Sequence, residues 1–277
     1  MNIVSLFDGI SCAYVALQKA KIPIKSYTSY EIDKYAISIS KRNNPTIKQC
    51  GDVKTLKDCV DCDILIGGSP CTDLSIAKPN RKGLDGEHSS LFWEYIRIKK
   101  LLNPKWFVLE NVASMSKADK DKISEAMGVQ PTMFNASLLS GQSRKRYFWT
   151  NIPFTLPTDK GISLESIMEP EVNEKYFTSR TKAELELKKT SQGYKVYDIK
   201  GKSACLKSSG GGVGGKTGLY LLKSNRIRRL TPTECERLQG LPDGYTSGVS
   251  DTQRYKCLGN AFNVDVVAHI LAGINSL

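Results

Sequence analysis

A thiol and a carboxyl group each follow an apolar segment that has the length of a buried strand. Residues 63–66 form the first segment, and a glycine-rich turn, residues 67–70, leads from it to Cys71. Residues 106–109 form the second segment, which Glu110 follows directly. Ligands of open α/β sheets bind outside the carboxyl ends of the strands, so we expect the two side chains to share one cleft. A thiolate can add to an electron-poor ring carbon, and a carboxylic acid can protonate the ring nitrogen that gains electron density.

Predicted strands and helices alternate through the first 150 residues. The strands cover residues 2–6, 25–31, 47–50, 63–66, 106–109 and 146–150, and the helices cover residues 11–20, 33–42 and about 90–102. Asp33 is the predicted cap of the second helix, and Ser89 or Ser90 that of the third. This alternation is typical of a doubly wound parallel α/β sheet. Further helices are predicted over residues 231–239, where Thr231 and Glu234 form a capping box, and over residues 263–274. The more polar, glycine-rich stretch between residue 153 and these helices indicates a separate small module.

Composition narrows the class of protein. The chain has 277 residues, of which 40% are apolar and 25% charged, as in ordinary globular proteins. Its net charge of +12 favours a polyanionic partner, and nucleic acid is the commonest one, although such an excess can also serve solubility alone. We expect no membrane span and no secretory signal, because no long apolar run is present. Eight scattered cysteines indicate free thiols in a reducing compartment, and the CxxC of Cys59 and Cys62 lacks the further ligands of a zinc site.

Three of the predicted strands end close to residues suited to an adenosine-containing cofactor. After the first strand, residues 7–11 read FDGIS, in which a glycine lets the backbone approach a ligand and a helix follows. Glu31 ends the second strand, where a carboxylate can bind both hydroxyls of a ribose. Asp52 follows the third strand and could accept a hydrogen bond from an adenine amine. Each acid alone is more often a solvated strand end, but the three together favour a cofactor.

Some of these residues also have simpler interpretations. Cys71 could be a small buried apolar residue, although the stiff turn before it argues for exposure. Glu110 could be a structural acid, and the basic residues 142–146 could form a solvated face, although the apolar residues after them suggest that one or two arginines face the cleft. Residues 210–217 read GGGVGGKT, which satisfies the phosphate-loop pattern, but neither a preceding strand nor a following helix is predicted there. A flexible loop that approaches a DNA backbone is the favoured interpretation.

Taken together, these motifs resemble those of the DNA cytosine-5 methyltransferase family, in the family's order and over nearly the whole chain. FDGIS at residues 7–11, Glu31 and the Gly51-Asp52-Val53 segment resemble its first cofactor motifs. GGSPC at residues 67–71 resembles its nucleophile loop, and Glu110-Asn111-Val112 is similar to its ENV motif. Gln142, Arg144 and Arg146 fit its QxRxR pattern. RLTP at residues 229–232 and ERLQ at residues 236–239 fit a supporting helix, and LGNAF at residues 258–262 resembles the last cofactor motif.

The resemblance implies a doubly wound Rossmann-like sheet that binds S-adenosyl-L-methionine, and a small target-recognition domain. It implies a catalytic and cofactor-binding domain over residues 1–153 plus 254–277, and a target-recognition domain over residues 154–253. The implied catalytic residues are Cys71, Glu110, Arg144 and Arg146. The implied cofactor-binding residues are Phe7, Asp8, Gly9, Ile10, Glu31, Ile32, Asp52, Val53, Asn260, Ala261 and Phe262.

The implied reaction is methyl transfer to C5 of a cytosine flipped out of duplex DNA, through a covalent adduct of Cys71 at C6, without a metal. Residues 75–88 are expected to form a mobile lid over the flipped base, and residues 155–223 to read the DNA sequence in the major groove. The expected setting is the cytoplasm of a bacterium or of a phage-infected cell, with or without a cognate restriction nuclease.

The chain departs from the family pattern at Thr72, where many members have glutamine, at Asp8 and Ser11, which replace small residues, and at Ala261-Phe262. Three other functions are considered: an RNA cytosine methyltransferase, a non-catalytic nucleic-acid binder on the same fold, and a phosphate-loop ATPase. Intact Cys71, Glu110 and Arg146 argue against the binder.

Overall fold

The computed structural model describes residues 1–70, 91–186 and 192–276. Two compact units make up the chain. The first comprises Met1–Asn135, Lys145–Leu156 and Val266–Leu277, and the second comprises Ala136–Arg144 and Pro157–Asp265. This division places residues 254–265 in the second unit, whereas the predicted catalytic domain includes them. The functional domain boundaries therefore stay a prediction.

A seven-stranded sheet forms the centre of the first unit. Its strands are β1 (Asn2–Leu6), β2 (Ser26–Tyr30), β3 (Lys48–Gln49), β4 (Ile64–Gly67), β5 (Trp106–Val112), β6 (Thr132–Asn135) and β7 (Lys145–Thr150). Their order is β3-β2-β1-β4-β5-β7-β6. The first five strands in this order are parallel, as the alternation of strands and helices predicts. The α/β class and the doubly wound arrangement are confirmed.

One strand, β7, runs against the other six. β7 pairs antiparallel with β5, and β6 pairs antiparallel with β7, so the predicted all-parallel sheet is wrong for residues 146–150. The connection explains the direction. Parallel neighbours need a crossover of a dozen or more residues, usually a helix, and only residues 136–144 separate β6 from β7.

In the described part of the first unit the helices include α1 (Cys12–Lys19), α2 (Lys34–Asn43), α3 (Leu91–Leu102) and α4 (Lys117–Met127). Asp33 caps α2 as predicted, because its side chain accepts from the amides of Tyr35 and Ala36. The proposed cap of α3, Ser89 or Ser90, lies outside the described residues. The helix α4 was not predicted, because it has few apolar residues. It is capped by Ser116 and ends at Gly128, whose backbone is left-handed.

The core of the first unit lies against β4 and β5, which read as continuous apolar runs because helices cover both faces of a doubly wound sheet. Leu65, Leu109 and Trp149 are fully buried there, together with Phe92 and Tyr95 of α3. This packing fixes the strands whose carboxyl ends carry the predicted site.

The second unit contains a smaller sheet of four short strands: β8 (Phe177–Thr178), β9 (Val196–Asp198), β10 (Leu219–Leu221) and β11 (Ile227–Arg228), in the order β8-β11-β10-β9. Its helices are α5 (Lys182–Glu186), α6 (Pro232–Leu238) and α7 (Asp251–Asn260), and α8 (Val264–Ala272) follows α7. The predicted capping box of Thr231 and Glu234 at the start of α6 is confirmed. The glycine-rich residues 210–217 form turns that lead into β10 and not into a helix, so the phosphate-loop interpretation lacks its structural context.

In the described part of the chain, one helical segment, Asp251–Ser276, is long and apolar enough to meet the length and composition of a membrane span. Residues 261–263 interrupt it between α7 and α8, and 72% of its most apolar stretch is buried inside the protein. Core helices of globular proteins have the same properties. The expectation of no membrane span stays a prediction.

Candidate active site

The register of the parallel strands brings their carboxyl ends level. Leu6, the last residue of β1, lies opposite both Tyr30 of β2 and Gly67 of β4, and Gly67 lies opposite Leu109 of β5. The residues that follow these positions therefore lie along one edge of the sheet: Phe7, Glu31, Gly68 and Glu110. This is the edge at which open α/β sheets bind ligands.

The first turn has an unusual backbone. Phe7, Gly9 and Ser11 have φ values of 56°, 59° and 61°. A Cβ atom on Gly9 would meet nothing within 4 Å, so the space in front of this backbone is open. Asp8 and Ile10 are buried, with 5% and 1% of their surface exposed. Their side chains point into the protein, and any contact of these two residues with a ligand would come from the backbone.

Glu31 is held in place by three backbone amides. One carboxylate oxygen accepts from Gly9 N at 2.8 Å, and the other accepts from Ile32 N and Asp33 N, both at 2.8 Å. Ile32 itself is 72% exposed. A fixed carboxylate beside an exposed apolar side chain suits a ribose that carries a flat, apolar ring.

The two predicted residues after β3, Asp52 and Val53, lie in different environments. Asp52 is exposed, and its Oδ1 accepts from Lys54 N at 3.0 Å at the start of a 3-10 turn. Val53 is buried in the core, so its side chain is turned away from the surface. Together with Glu31 and Ile32, Asp52 gives this edge the polar and apolar groups that an adenosine moiety requires.

Glu110 and Arg146 form an ion pair on neighbouring strands. Arg146 Nε lies 2.8 Å from Glu110 Oε1, and the side chains are only 14% and 13% exposed. Glu110 lies opposite Phe148, and Arg146 lies opposite Val112, so the two charged residues are diagonal neighbours in the antiparallel pair of β5 and β7. The structure thus brings two predicted catalytic side chains together.

Asn111 ties the end of β5 to the end of β4. Its Nδ2 donates to Ser69 Oγ at 3.1 Å and to Ser69 O at 3.3 Å, and its Oδ1 accepts from Val112 N. Asn111 was predicted only as part of a motif. A second polar residue directly after Glu110, at the end of an apolar run, was the signal that its side chain holds a neighbouring segment, here the one that leads to position 71. Cys71, Thr72 and the predicted lid, residues 75–88, lie outside the described residues.

Arg144 is buried in the second unit, with 3% of its surface exposed. Its terminal nitrogens donate to Leu206 O at 3.2 Å, Gly259 O at 3.3 Å and Ala261 O at 2.9 Å. These bonds join three segments of the second unit, and the predicted catalytic role of Arg144 stays a prediction.

The last predicted cofactor residues follow in the same unit. Asn260 is exposed, whereas Ala261 and Phe262 are buried.

In residues 1–70, 91–186 and 192–276, no group of three histidine, cysteine, aspartate or glutamate side chains is placed to hold a metal ion.

The doubly wound sheet and its acid-bearing carboxyl edge define a class of proteins that bind nucleotide-like ligands. Comparison with known proteins makes the assignment specific. Residues 1–149 and 141–276 match the family model described as C-5 cytosine-specific DNA methylase. The chain belongs to this family, and its enzyme class is that of DNA cytosine-5 methyltransferases.

Individual relatives agree with the family. The chain is 30% identical to the type II methyltransferase M1.ScrFI of Lactococcus lactis subsp. cremoris, over 98% of this chain and 77% of that protein. It is 27% identical to the type II methyltransferase M.HhaI of Haemophilus parahaemolyticus, over 100% of this chain and 94% of that protein. The structure of the Entamoeba histolytica methyltransferase EhMeth superposes with a TM-score of 0.79 and covers 100% of this chain and 98% of that one, at 19% identity. That likeness shows the fold alone.

Proposed function

We propose that this chain transfers a methyl group from S-adenosyl-L-methionine to C5 of a cytosine that has been flipped out of duplex DNA, through a transient bond between Cys71 and C6. One observation carries the proposal. The Glu110–Arg146 ion pair lies at the carboxyl edge of the sheet, where the turn of residues 67–70 leaves β4 toward Cys71. An acid, a cation and the approach to a thiol therefore belong to one edge.

The first step needs a ring that is free of its neighbours, because stacking covers both faces of C6 in a duplex. The Cys71 thiolate adds to C6, the C5–C6 double bond breaks, and its electron pair moves toward C5 and the ring. Glu110 supplies a proton to N3 as the ring gains electron density. A base that places N3 and its amine at Glu110 and its O2 at Arg146 would engage both members of the ion pair.

The second step transfers the methyl group and restores the ring. C5 forms a bond to the methyl carbon, whose bond to the donor sulfur breaks. Loss of the C5 proton to a base and return of the N3 proton to Glu110 then allow the bond between C6 and Cys71 to break, which regenerates the thiolate, the acid and the C5–C6 double bond. Atoms and charge balance without a metal.

The family implies S-adenosyl-L-methionine as the methyl donor, and the first unit supplies groups that fit it. Glu31 would bind the ribose hydroxyls, Ile32 would cover one face of the adenine, and Asp52 would accept from its amine. The open backbone at Gly9 would lie beside the amino-acid portion. When bound, this donor supplies an electrophilic methyl group.

Double-stranded DNA is the proposed substrate. The family is one of DNA methylases, and a net charge of +12 favours a polyanion. We assign sequence readout to the target-recognition domain, residues 154–253. The two relatives named above are called type II methyltransferases, and both expected settings of this chain, with or without a cognate restriction nuclease, stay predictions.

The test starts with bisulfite sequencing of DNA from cells that express the full chain, which identifies the methylated site. Duplexes with 5-fluorocytosine at that site then trap the adduct, because fluorine at C5 blocks the final elimination. We expect the wild-type protein to form a complex that survives denaturing electrophoresis only when the methyl donor is present. Cys71→Ser should form none, whereas Cys59→Ser, which changes an exposed thiol elsewhere in the chain, should behave as the wild type.

Two results would contradict the proposal. Tritiated-methyl transfer by Cys71→Ser at a rate near that of the wild type would exclude the covalent scheme. Transfer to the matching RNA but not to DNA would favour the RNA methyltransferase alternative.

A further inference from the structure

A buried hydrogen-bond network surrounds Asp8, which replaces a small residue of the family's first motif. Asp8 Oδ1 accepts from Ser5 Oγ at 2.5 Å and from Tyr27 OH at 2.6 Å, and Oδ2 accepts from Ser11 Oγ at 2.5 Å. These donors lie on β1, on β2 and at the end of the turn that begins at Phe7. One carboxylate thus connects the turn to two neighbouring strands.

The network continues to α2 with a defined direction. Because the Ser11 hydroxyl donates to Asp8, its oxygen accepts from Ser40 Oγ, which lies 2.6 Å away. The Ser40 oxygen in turn accepts from Gln49 Nε2 at 2.9 Å. Every donor in this series of hydrogen bonds points toward Asp8, and such aligned hydrogen bonds strengthen one another. The carboxylate is the acceptor that all the others require.

The network holds the turn of residues 7–11, which lies at the carboxyl edge of the sheet. Ser11 precedes α1 in a left-handed conformation, yet its hydroxyl does not cap the helix. The hydroxyl donates to the Asp8 carboxylate instead. The same turn contains Gly9, whose amide donates to Glu31 and whose free side faces open space. Left-handed backbone at Phe7 and Ser11 is costly for residues with side chains and persists only where neighbouring groups hold it.

We propose that Asp8 is a positioning residue for the methyl donor: its carboxylate holds residues 7–11 in the left-handed turn that presents the Gly9 backbone, and it does not itself touch the ligand. This inference rests on the proposed function, because it takes the donor to bind at this edge. Asp8 is one of the predicted cofactor-binding residues, and the inference gives its side chain a supporting role in that site.

The expected effect is a loss of preorganisation. In Asp8→Asn, an amide nitrogen faces hydroxyl donors and cannot accept from them. If the turn then occupies its competent form for about a tenth of the time, the apparent Kd rises about tenfold, which corresponds to about 1.4 kcal/mol. Tyr27→Phe removes a single donor and should raise the Kd by a smaller factor, which provides a milder variant should Asp8→Asn fold poorly.

The experiment measures binding of S-adenosyl-L-homocysteine by titration calorimetry and amide hydrogen exchange of residues 7–12 in the ligand-free protein. Asp119→Asn is the matched control. Asp119 is also buried and accepts from a serine hydroxyl, that of Ser116, but it lies in α4 and outside the predicted cofactor residues. We expect Asp8→Asn to raise the Kd about tenfold and to accelerate exchange in residues 7–12, with kcat at saturating donor within about twofold of the wild type. Asp119→Asn should change neither.

An unchanged Kd and unchanged exchange in a folded Asp8→Asn protein would overturn the inference, as would an equal rise in Kd for Asp119→Asn. Failure of the proposed function looks different, because the wild-type protein itself would then bind no S-adenosyl-L-homocysteine. In that case, exchange in the ligand-free variants still decides whether Asp8 holds the turn.

Discussion

Variants of the Glu110–Arg146 ion pair can distinguish a contribution to protein stability from a contribution to catalysis. The contact distance is 2.8 Å, and at an effective dielectric constant of about 20 two unit charges so close attract by about 6 kcal/mol. Desolvation of two side chains that are mostly withdrawn from water offsets much of this. We therefore expect Glu110→Gln or Arg146→Gln to lower the free energy of unfolding by about 2–4 kcal/mol, since each leaves one charge without its partner.

The double variant distinguishes the two roles. Without an uncompensated charge, it should be more stable than the sum of the single effects predicts, with a coupling energy of about 2 kcal/mol. Methyl transfer should behave differently. Loss of the acid at Glu110 should lower the single-turnover rate by about 10²- to 10⁴-fold, and the double variant should stay as slow because removal of Arg146 restores no proton donor.

Urea unfolding and single-turnover transfer of a tritiated methyl group measure the two quantities on the same proteins. Glu94→Gln is the control, since Glu94 pairs with Arg97 on α3 at a more exposed position, 26% and 39%. This variant should lower the free energy of unfolding by less than about 1 kcal/mol and leave the rate of methyl transfer unchanged. A Glu110→Gln rate within tenfold of the wild type, or recovery of the rate in the double variant, would refute the assignment of Glu110 as the acid.

The remaining predictions concern stability. Glu234 is fully buried and accepts from both terminal nitrogens of Arg228 at 2.6 and 2.8 Å, so Glu234→Gln should destabilise the second unit by about 3–5 kcal/mol in urea unfolding. Glu174→Gln, at an exposed ion pair, should lower the stability far less, and equal losses would contradict this reasoning. Burial raises the pKa of Asp8 above its ordinary value of 3.8, although hydroxyl donors oppose the rise. Ionisation of Asp8 therefore costs part of the folding free energy, which is fully present below that value and is lost as the pH rises through the folded-state pKa. The ionised carboxylate still accepts from its hydroxyl donors, so the stability of the wild type relative to Asp8→Asn should fall from about pH 4 upward while the turn persists; a constant difference would contradict this.

Local signals predicted the parts of the fold that local physics decides. A short acceptor side chain before a helix identified Asp33, and a threonine and a glutamate three residues apart identified the start of α6. Continuous apolar runs identified β4 and β5 because both faces of these strands are covered. Level carboxyl ends then followed from parallel pairing, and they brought the segment before Cys71 and Glu110 to one edge.

Other features depend on the path of the chain in space. An apolar run has the same composition in either direction, so residues 146–150 gave no sign that β7 is antiparallel. The helix α4 has caps at Ser116 and Gly128 but too few apolar residues for a clear helical period. Asn111 and Asp8 belong to recognisable motifs, yet only the folded chain shows that their polar atoms bond to Ser69 and to three hydroxyls.

The two arginines of the QxRxR segment show why a motif does not give the direction of its side chains. The family pattern implies a catalytic role for both Arg144 and Arg146, although the predicted strand begins only at residue 146. In the structure β7 begins at Lys145, so the rule that residues two apart on a strand share a face does not extend back to Arg144. Arg146 on the strand reaches Glu110, whereas Arg144 before it donates to carbonyls of the second unit. The boundary of one strand therefore gives two similar residues different contacts, and on this basis we propose Arg146, and not Arg144, as the residue that binds the base O2.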